Sequence, residues 1–519
     1  MKKFIITVLT GLLILGCAIT ELEEPRLVPK KPKGAGTTST VPPVYYSEFG
    51  AKGDGITDDF DAIRRTHDAA NIRGAKVIGD PGATYYIGAT TKSAYIQTDV
   101  DWGDSNFIID DTTVEKRGTA WVDTWLFMVE SAQNPFLIHS VSGLKKGQSK
   151  LPLNLGQRLL LIAIDNTTRR YIRQGMNEDS GDFQKDVFIV DADGTVDPRA
   201  PIIWDFNNIT SLTAYPIDDY RLTIKGGNFT TIANRGNDQD PYMRRGIRIL
   251  RSNVLVDGIF HDVIGQEVMP VARYSGFITI YNCADVTVQN CTLTGRLPMN
   301  SIGTYEVQVN SSINPSFINC DQTNDHSNPK YWGVFLSNYS KNIIFDSVRW
   351  SRFDAHMGVY NTTILNSDLG HQGIQIIGSG TLRIENTVVR NCDRYIRFRP
   401  DYGASWEGNV YIKNGTFVLG SGPIISAPNS GRWNYGYQCY MPKEIYIDGF
   451  RVLNAGSSSV QLIVNSDLTT AEQAANQLYP YILTETVYIR GYQADNGLSY
   501  SFSNQYLRDN ITIKTSWVD

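Results

Sequence analysis

The sequence predicts an all-β solenoid, a parallel β-helix whose coils stack along one axis. Three observations predict it: a degenerate strand, bend and strand unit recurring from about residue 220, a glycine-rich loop running into one short helix near residue 60, and a length of 519 residues, which suits a chain growing in one dimension better than a single core.

The repeat reads LTIKGGNF from Leu222, VTVQNCTL from Val286, IIFDSVRW from Ile343, TILNSDL from Thr363, LRIENTVV from Leu382, VYIKNGTF from Val410 and IYIDGFRV from Ile445. Alternation of period two marks a strand with one buried face, and the polar residue that follows tolerates the left-handed backbone of a tight corner. The bend residues Asn290, Asn319, Asp346, Asn366, Asn386, Asn414 and Asp448 are therefore expected to stack as turns, not to bind ligands. Second strands lie between these units, and the tightest spacing, about twenty residues, is one coil.

Residues 49–63 read FGAKGDGITDDFDAI. Gly50, Gly53 and Gly55 give freedom for tight turns, and Thr57, Asp58 and Asp59 offer capping oxygens to a helical run over 60–72, with strands expected at 76–78 and 85–87. This segment resembles the first coil of the pectate-lyase superfamily of right-handed parallel β-helices, which includes rhamnogalacturonases, polygalacturonase-like enzymes and many phage tailspikes. The resemblance implies a right-handed solenoid, a loop and helix that cap its first coil, and action on long carbohydrate chains. Asp54, Asp58 and Asp59 are then cap residues and not a metal or catalytic cluster.

Lys2 and Lys3 precede an apolar run over 4–15 that ends in Gly16 and Cys17, the pattern of a lipoprotein-type signal over 1–17 with Cys17 as the lipidation site. Residues 18–43, rich in Pro, Lys, Thr and Gly, read as a flexible tether, so the expected location is secreted and lipid-anchored in a bacterial envelope membrane. The solenoid opens over 44–120. An inserted β-subdomain over 121–218 is expected from longer strand patterns such as LGQRLLLIAIDN, and the main coils occupy 219–519. A net charge of −5 and a pI of 5.8 argue against a nucleic-acid partner. Cys283, Cys291, Cys320, Cys392 and Cys439 form no complete disulfide framework and no zinc pattern, so no metal site is expected. Without a trimerisation stalk, the chain is expected to be a monomer.

Aligning the second strands places Glu306, Gly333, Gly358, Gly373 and Tyr395 in one outward column and Gln308, Phe335, Tyr360, Gln375 and Arg397 in the next, a trough of bare backbone that a sugar ring fits. Titratable groups precede these strands. Asp354 and Asp393, two coils apart, are separated by roughly 10 Å of backbone, which favours an inverting hydrolase with the pair as acid and base. His356 and His371 are supporting catalytic candidates. Arg394, Arg397 and Arg399 would hold a carboxylate, with Glu306, Gln308, Lys330, Trp332, Tyr360 and Gln375 as further substrate contacts. The sequence GHQG at 370–373 resembles the GHG element of polygalacturonases, and Arg397-Phe398-Arg399 resembles their basic motif. Their NTD and paired-aspartate elements are missing, so their mechanism is not carried over.

The expected function is hydrolysis of an acidic polysaccharide, uronate-containing and pectin-like or from an envelope or capsule, with no required cofactor. The alternative is a lyase on the same substrates, using arginine or calcium to neutralise the uronate and His356 or Tyr360 as base; Asp354, Asp368 and Asp401 are its local calcium candidates. A third reading is a non-catalytic glycan-binding or adhesion solenoid. No nucleophile elbow and no phosphate loop is present.

Overall fold

Side chains that alternate along short strands, coil after coil, leave the chain one way to bury its apolar half: stacked in register. The computed structural model describes residues 41–517 except 116–121, 124, 174–179, 237–241, 269–270, 298–302, 419–421, 429–433, 454–459, 466–467, 471–478 and 498. Cys17 and most of the expected tether lie outside the described residues.

Parallel strands form three faces. The first runs from Val44–Tyr45 to Thr512–Lys514, and the second from Asp54–Asp58 to Gln493–Ala494. The third runs from Ala94–Ile96 through Tyr305–Asn310 and Ile396–Phe398 to Tyr500–Phe502. On the first face one inward column passes without a break through Ile224, Val256, Val288, Phe317, Phe345, Ile364, Ile384, Ile412, Ile447 and Ile489. Burying each such side chain is worth about 1.5–3 kcal/mol, gained only when the coils above and below cover it.

The corner between the first and second faces carries the asparagines. Asn290, Asn319, Asn366, Asn386 and Asn414 hold φ between 48° and 53°. Their amides form a ladder: Asn319 donates to Asn290 (2.8 Å), Asn366 to Asp346 (2.9 Å), Asn386 to Asn366 (3.0 Å) and Asn414 to Asn386 (3.0 Å). At Asp346 and Asp448 the left-handed residue is instead the next one, Ser347 or Gly449.

At the N-terminal end the helix Phe60–Arg73 covers the first coil. The Asp58 carboxylate accepts from the Phe60 amide (3.0 Å). Asp59 turns back to accept from the amides of Lys52 (2.6 Å) and Gly53 (2.9 Å), closing the glycine loop, and Asp54 ties its own turn through Ile56 and Thr57. All three aspartates are thus occupied by local backbone.

An antiparallel sheet interrupts the coils, in the order Asp182–Val190, Leu159–Arg170, Ser211–Pro216 and Phe136–Leu137. Its central strand is apolar on both sides. Leu159, Leu161 and Ala163 face its own loops, while Leu160 and Ile162 pack against Ala284 and Ile313 of the solenoid. Phe127–Val129 pairs with Ala94–Ile96 and Ile247–Ile249 and so belongs to the third face, which puts the start of the antiparallel part later than residue 121. Buried bonds pin the sheet down: Lys341 to Asp186 (2.7 Å) and the Tyr339 hydroxyl to Asp182 (2.5 Å).

Candidate functional site

On the third face the outward row reads Thr279, Gln308 and Leu336, then Asp354, Gln375, Arg397 and Ser426, the two runs joined where Ser337 lies opposite Ala355. Gln308, Gln375 and Arg397 thus share a row, as the sequence suggested. Gly358 and Tyr360 do not belong to it. Val359 pairs with Gly378 and Tyr360 with Ser379 on the first face, so the predicted glycine column is interrupted, and Arg352 occupies the position opposite Gly373. Tyr395 points inward and is buried.

The strand Arg349–Met357 carries Arg352, Asp354 and His356 at every second position, and so on one side. Asp354 is completely buried beneath its partners. Arg399 donates to its Oδ1 (2.7 Å), Arg352 pairs with its Oδ2, and His356 Nε2 lies 2.5 Å from the same oxygen. Burial alone would raise the Asp354 pKa, but Arg352, His356 and Arg399 outweigh it and hold the carboxyl well below the usual range. A carboxylate so fixed in its ionised form does not donate a proton, so the expected acid role of Asp354 is not one this geometry supports. Because a carboxylate only accepts, Nε2 of His356 carries the proton and Nδ1 is the basic nitrogen. Burial, reinforced by Arg399 and Arg352 and opposed by Asp354, pushes His356 down to about 4, so its neutral form prevails at neutral pH. The Tyr305 hydroxyl lies 3.2 Å from Nε2.

Around this core lie guanidinium groups and rings. Arg352 stands over Trp332 (5.4 Å), Arg399 and Arg173 both over Tyr402 (5.5 Å each), Arg273 over Tyr242 (4.7 Å) and Arg248 over Tyr281 (5.1 Å). Arg399 also grips Asp401 with two bonds (2.7 and 3.2 Å), and Arg173, just past the inserted strand Leu159–Arg170, reaches the same carboxylate (2.9 Å). Arg397 differs from Arg352 and Arg399 in that no described carboxylate is in ion-pair contact with it; its buried Nε, like that of Arg352, has no hydrogen-bond partner. Burial first, then the charges of Arg399 and Arg352, lower its pKa, opposed by the more distant carboxylate of Asp401.

The other predicted residues scatter. Glu306 is fully buried, bonded to His261 and to Arg296 (2.9 Å), and cannot face substrate; a residue just before an inward valine points to solvent only where nothing covers it, and here Arg296 does. Asp393 is exposed and paired with Arg394. His371 sits beside the 323–334 loop with Nδ1 3.3 Å from the His326 carbonyl. Lys330 lines a separate polar cleft of about 180 Å³ with Asp262, Glu267, Asn324 and Tyr331. The three calcium candidates do not converge: Asp368 is held by Arg390 and His326, whereas Asp354 and Asp401 share Arg399. Among the described residues no group of three or more His, Cys, Asp or Glu forms a metal cage.

Reading single residues missed Arg352, Tyr305 and Arg173. The alternating pattern Arg-x-Asp-x-His over 352–356 is a signal that finds Arg352. Arg173 arrives from the inserted segment and leaves no local trace.

No family model matches the chain. Among solved structures it is similar to the tailspike protein gp49 from Pseudomonas phage LKA1, with a TM-score of 0.50 and 13% identity over 91% of this chain and 84% of that one. The Gp54 tailspike of Acinetobacter baumannii bacteriophage AP22, solved with A. baumannii capsular saccharide, gives 0.45 and 11% over 91% and 79%. An exopolygalacturonase from Thermotoga maritima gives 0.34 and 11% over 88% and 82%. The fold is that of the right-handed parallel β-helix.

Proposed function

We propose that this β-helix binds and cleaves an acidic polysaccharide on its third face. The observation that carries the reading is Arg397, a guanidinium without an ion-paired carboxylate among the described residues, on the same outward row as Asp354, whose carboxylate meets His356. A guanidinium offers a uronate carboxylate two parallel hydrogen bonds, and the glutamines of the row suit sugar hydroxyls. The cleavage this cluster suits best is β-elimination. Arg397 neutralises the uronate, and Nδ1 of His356 accepts the C5 proton next to the carboxylate, with Asp354 fixing the ring's tautomer; the C4–C5 double bond forms as the C4–O4 bond breaks, and the leaving oxygen takes its proton from solvent. A docked uronate adds negative charge beside His356 and so raises its affinity for a proton when one has to be abstracted. Inverting hydrolysis is second, because it needs two accessible carboxylates and only Asp393 of the predicted pair is exposed. We propose a bacterial-envelope location with it, on the support of the lipoprotein-type pattern over residues 1–17.

The test is incubation with a panel of uronate-containing polysaccharides, following the ultraviolet absorbance of unsaturated uronates together with reducing ends. Absorbance and reducing ends rising together support elimination at His356. Reducing ends alone move the chemistry to hydrolysis. Retention on a polysaccharide without products leaves a binding protein, and neither products nor retention on any member of the panel would sink the proposal.

A further inference from the structure

Among the described residues, the inserted part reaches the site through the charged Arg173. Leu159–Arg170 ends just before Tyr171, which packs its ring against Tyr339, Tyr402 and Tyr437 of the solenoid, and Arg173 follows two residues later. From there an unbroken series of ion pairs runs inward. Arg173 Nε meets Asp401 Oδ2 (2.9 Å), Asp401 accepts two bonds from Arg399, Arg399 Nη1 meets Asp354 Oδ1 (2.7 Å), and Asp354 Oδ2 meets His356 Nε2.

We infer that Arg173 is a positioning residue, and that the inserted sheet is there to complete the third-face site by holding Asp401, and through it Arg399 and Asp354, in the arrangement that aims His356. This deepens the function proposed above and rests on it only for the activity readout.

Charge balance gives the inference its content. Facing His356 are Arg352 and Asp354 from its own strand, Tyr305 from a preceding coil, and Arg399 and Asp401 from a following one. Arg399 serves two carboxylates. With Arg173 present, Asp401 has a second ion-pair partner, and three guanidiniums are in ion-pair contact with two carboxylates, beside the unpaired Arg397. Without Arg173 two ion-paired guanidiniums remain for two carboxylates, Arg399 is the one ion-pair partner left to Asp401 among the described residues, with Arg397 acting on it only at a distance, and Arg399 is held less firmly on Asp354. The ring of His356 then sits in a more negative field and takes up a proton more readily. Removing Asp401 has the opposite sign. A sheet that merely buried apolar surface would not have these paired consequences, because its docking already rests on Leu160, Ile162 and the Lys341–Asp186 pair.

The experiment is a histidine-ring NMR titration of the full chain as wild type, Arg173→Met, Arg173→Lys and Asp401→Asn, the His356 signal assigned by its loss in His356→Gln. Activity on the best polysaccharide of the panel is measured alongside. Expected are a His356 midpoint moved upward in Arg173→Met, restored in Arg173→Lys and moved downward in Asp401→Asn, with activity falling about tenfold in Arg173→Met and partly recovered in Arg173→Lys. A His356 midpoint that ignores all three substitutions overturns the inference, as does activity unchanged in Arg173→Met while the wild type is active. Should Arg173→Met not fold, the Arg173→Lys and Asp401→Asn midpoints decide alone. The titration needs no substrate, so an inactive wild type counts against the proposed function and leaves the relay to be judged on its own.

Discussion

Arg397 and Asp354 lie on the same outward row and differ in everything that decides a role. Arg397 has no carboxylate to lose, so Arg397→Gln removes charge from a site already crowded with cations and should leave the denaturation midpoint nearly unchanged. Its loss should appear in recognition: a charge-assisted bidentate contact is worth about 1.5–3 kcal/mol, so kcat/KM on a uronate polymer should fall roughly 10- to 100-fold, with a smaller drop for Arg397→Lys. Equal activity of Arg397→Gln and wild type would remove it from the site. Asp354 makes the contrasting case. Asp354→Asn leaves Arg352 and Arg399 buried around a neutral amide, a change that typically costs about 3–5 kcal/mol. Urea unfolding at neutral pH should register that loss. An Asp354→Asn protein as stable as wild type but inactive would instead return Asp354 to an acid–base role.

At the scale of the coil, the period-two strands and their polar corners were readable because each corner repeats the same local problem: one residue must take a left-handed backbone with its side chain pointing to solvent. Asparagine solves it, and stacking lets each amide bond to the next. Asn386 sits inside the ladder, accepting from Asn414 and donating to Asn366. Asn386→Ala loses both bonds and puts a residue that resists φ of 48° at the corner, for an expected loss of about 2 kcal/mol; Asn386→Gly keeps the backbone freedom and should lose about half of that, as chemical denaturation would show. Equal losses for the two would mean the backbone conformation contributes nothing. Register across the third face was harder to read. Between Ile344 and Thr363, and between Thr363 and Arg383, the coils are short, and one strand, Arg349–Met357, continues from the second face into the third without a loop. Gly358 and Val359 therefore open the next coil, although in sequence they look like another Gly-Val pair of the same column. The Arg-x-Asp-x-His alternation survives any such slip, because side-chain direction depends only on parity within the strand. Arg173 was illegible for a different reason: an insertion meets the solenoid through tertiary contacts that no periodicity encodes.

For the molecule as a whole, a solenoid frays from its ends, and the N-terminal end has a built-in acid sensitivity. His67, on the capping helix, is fully buried with Nε2 2.9 Å from the Tyr46 hydroxyl. That hydroxyl also accepts from the Trp102 indole (2.8 Å), and Nδ1 of His67 is buried without a hydrogen-bond partner, so nothing at the ring compensates the charge that a second proton would bring. Burial pushes His67 from 6.5 down to about 3. The unfolded chain binds a proton at this residue near the ordinary value and the folded chain does not, so the stability it contributes is complete above that value and is lost as pH falls toward about 3. Buried Asp111 and Asp186, raised by burial, act in the opposite sense, contributing at low pH and losing that contribution as pH rises, so the wild-type curve alone does not isolate the histidine. His67→Gln keeps an acceptor for Tyr46 and removes the titration. The stability difference between wild type and His67→Gln should therefore shift against the wild type by about 1.4 kcal/mol for each pH unit between roughly 6 and 4. Because coils protect one another only through their neighbours, the loss should also be local: hydrogen exchange at mildly acidic pH should deprotect Val100–Asp110 well before Gly378–Glu385, and His67→Gln should abolish that order. Parallel stability curves for the two proteins, or exchange that rises evenly along the axis, would show that the cap does not set the acid limit of the fold.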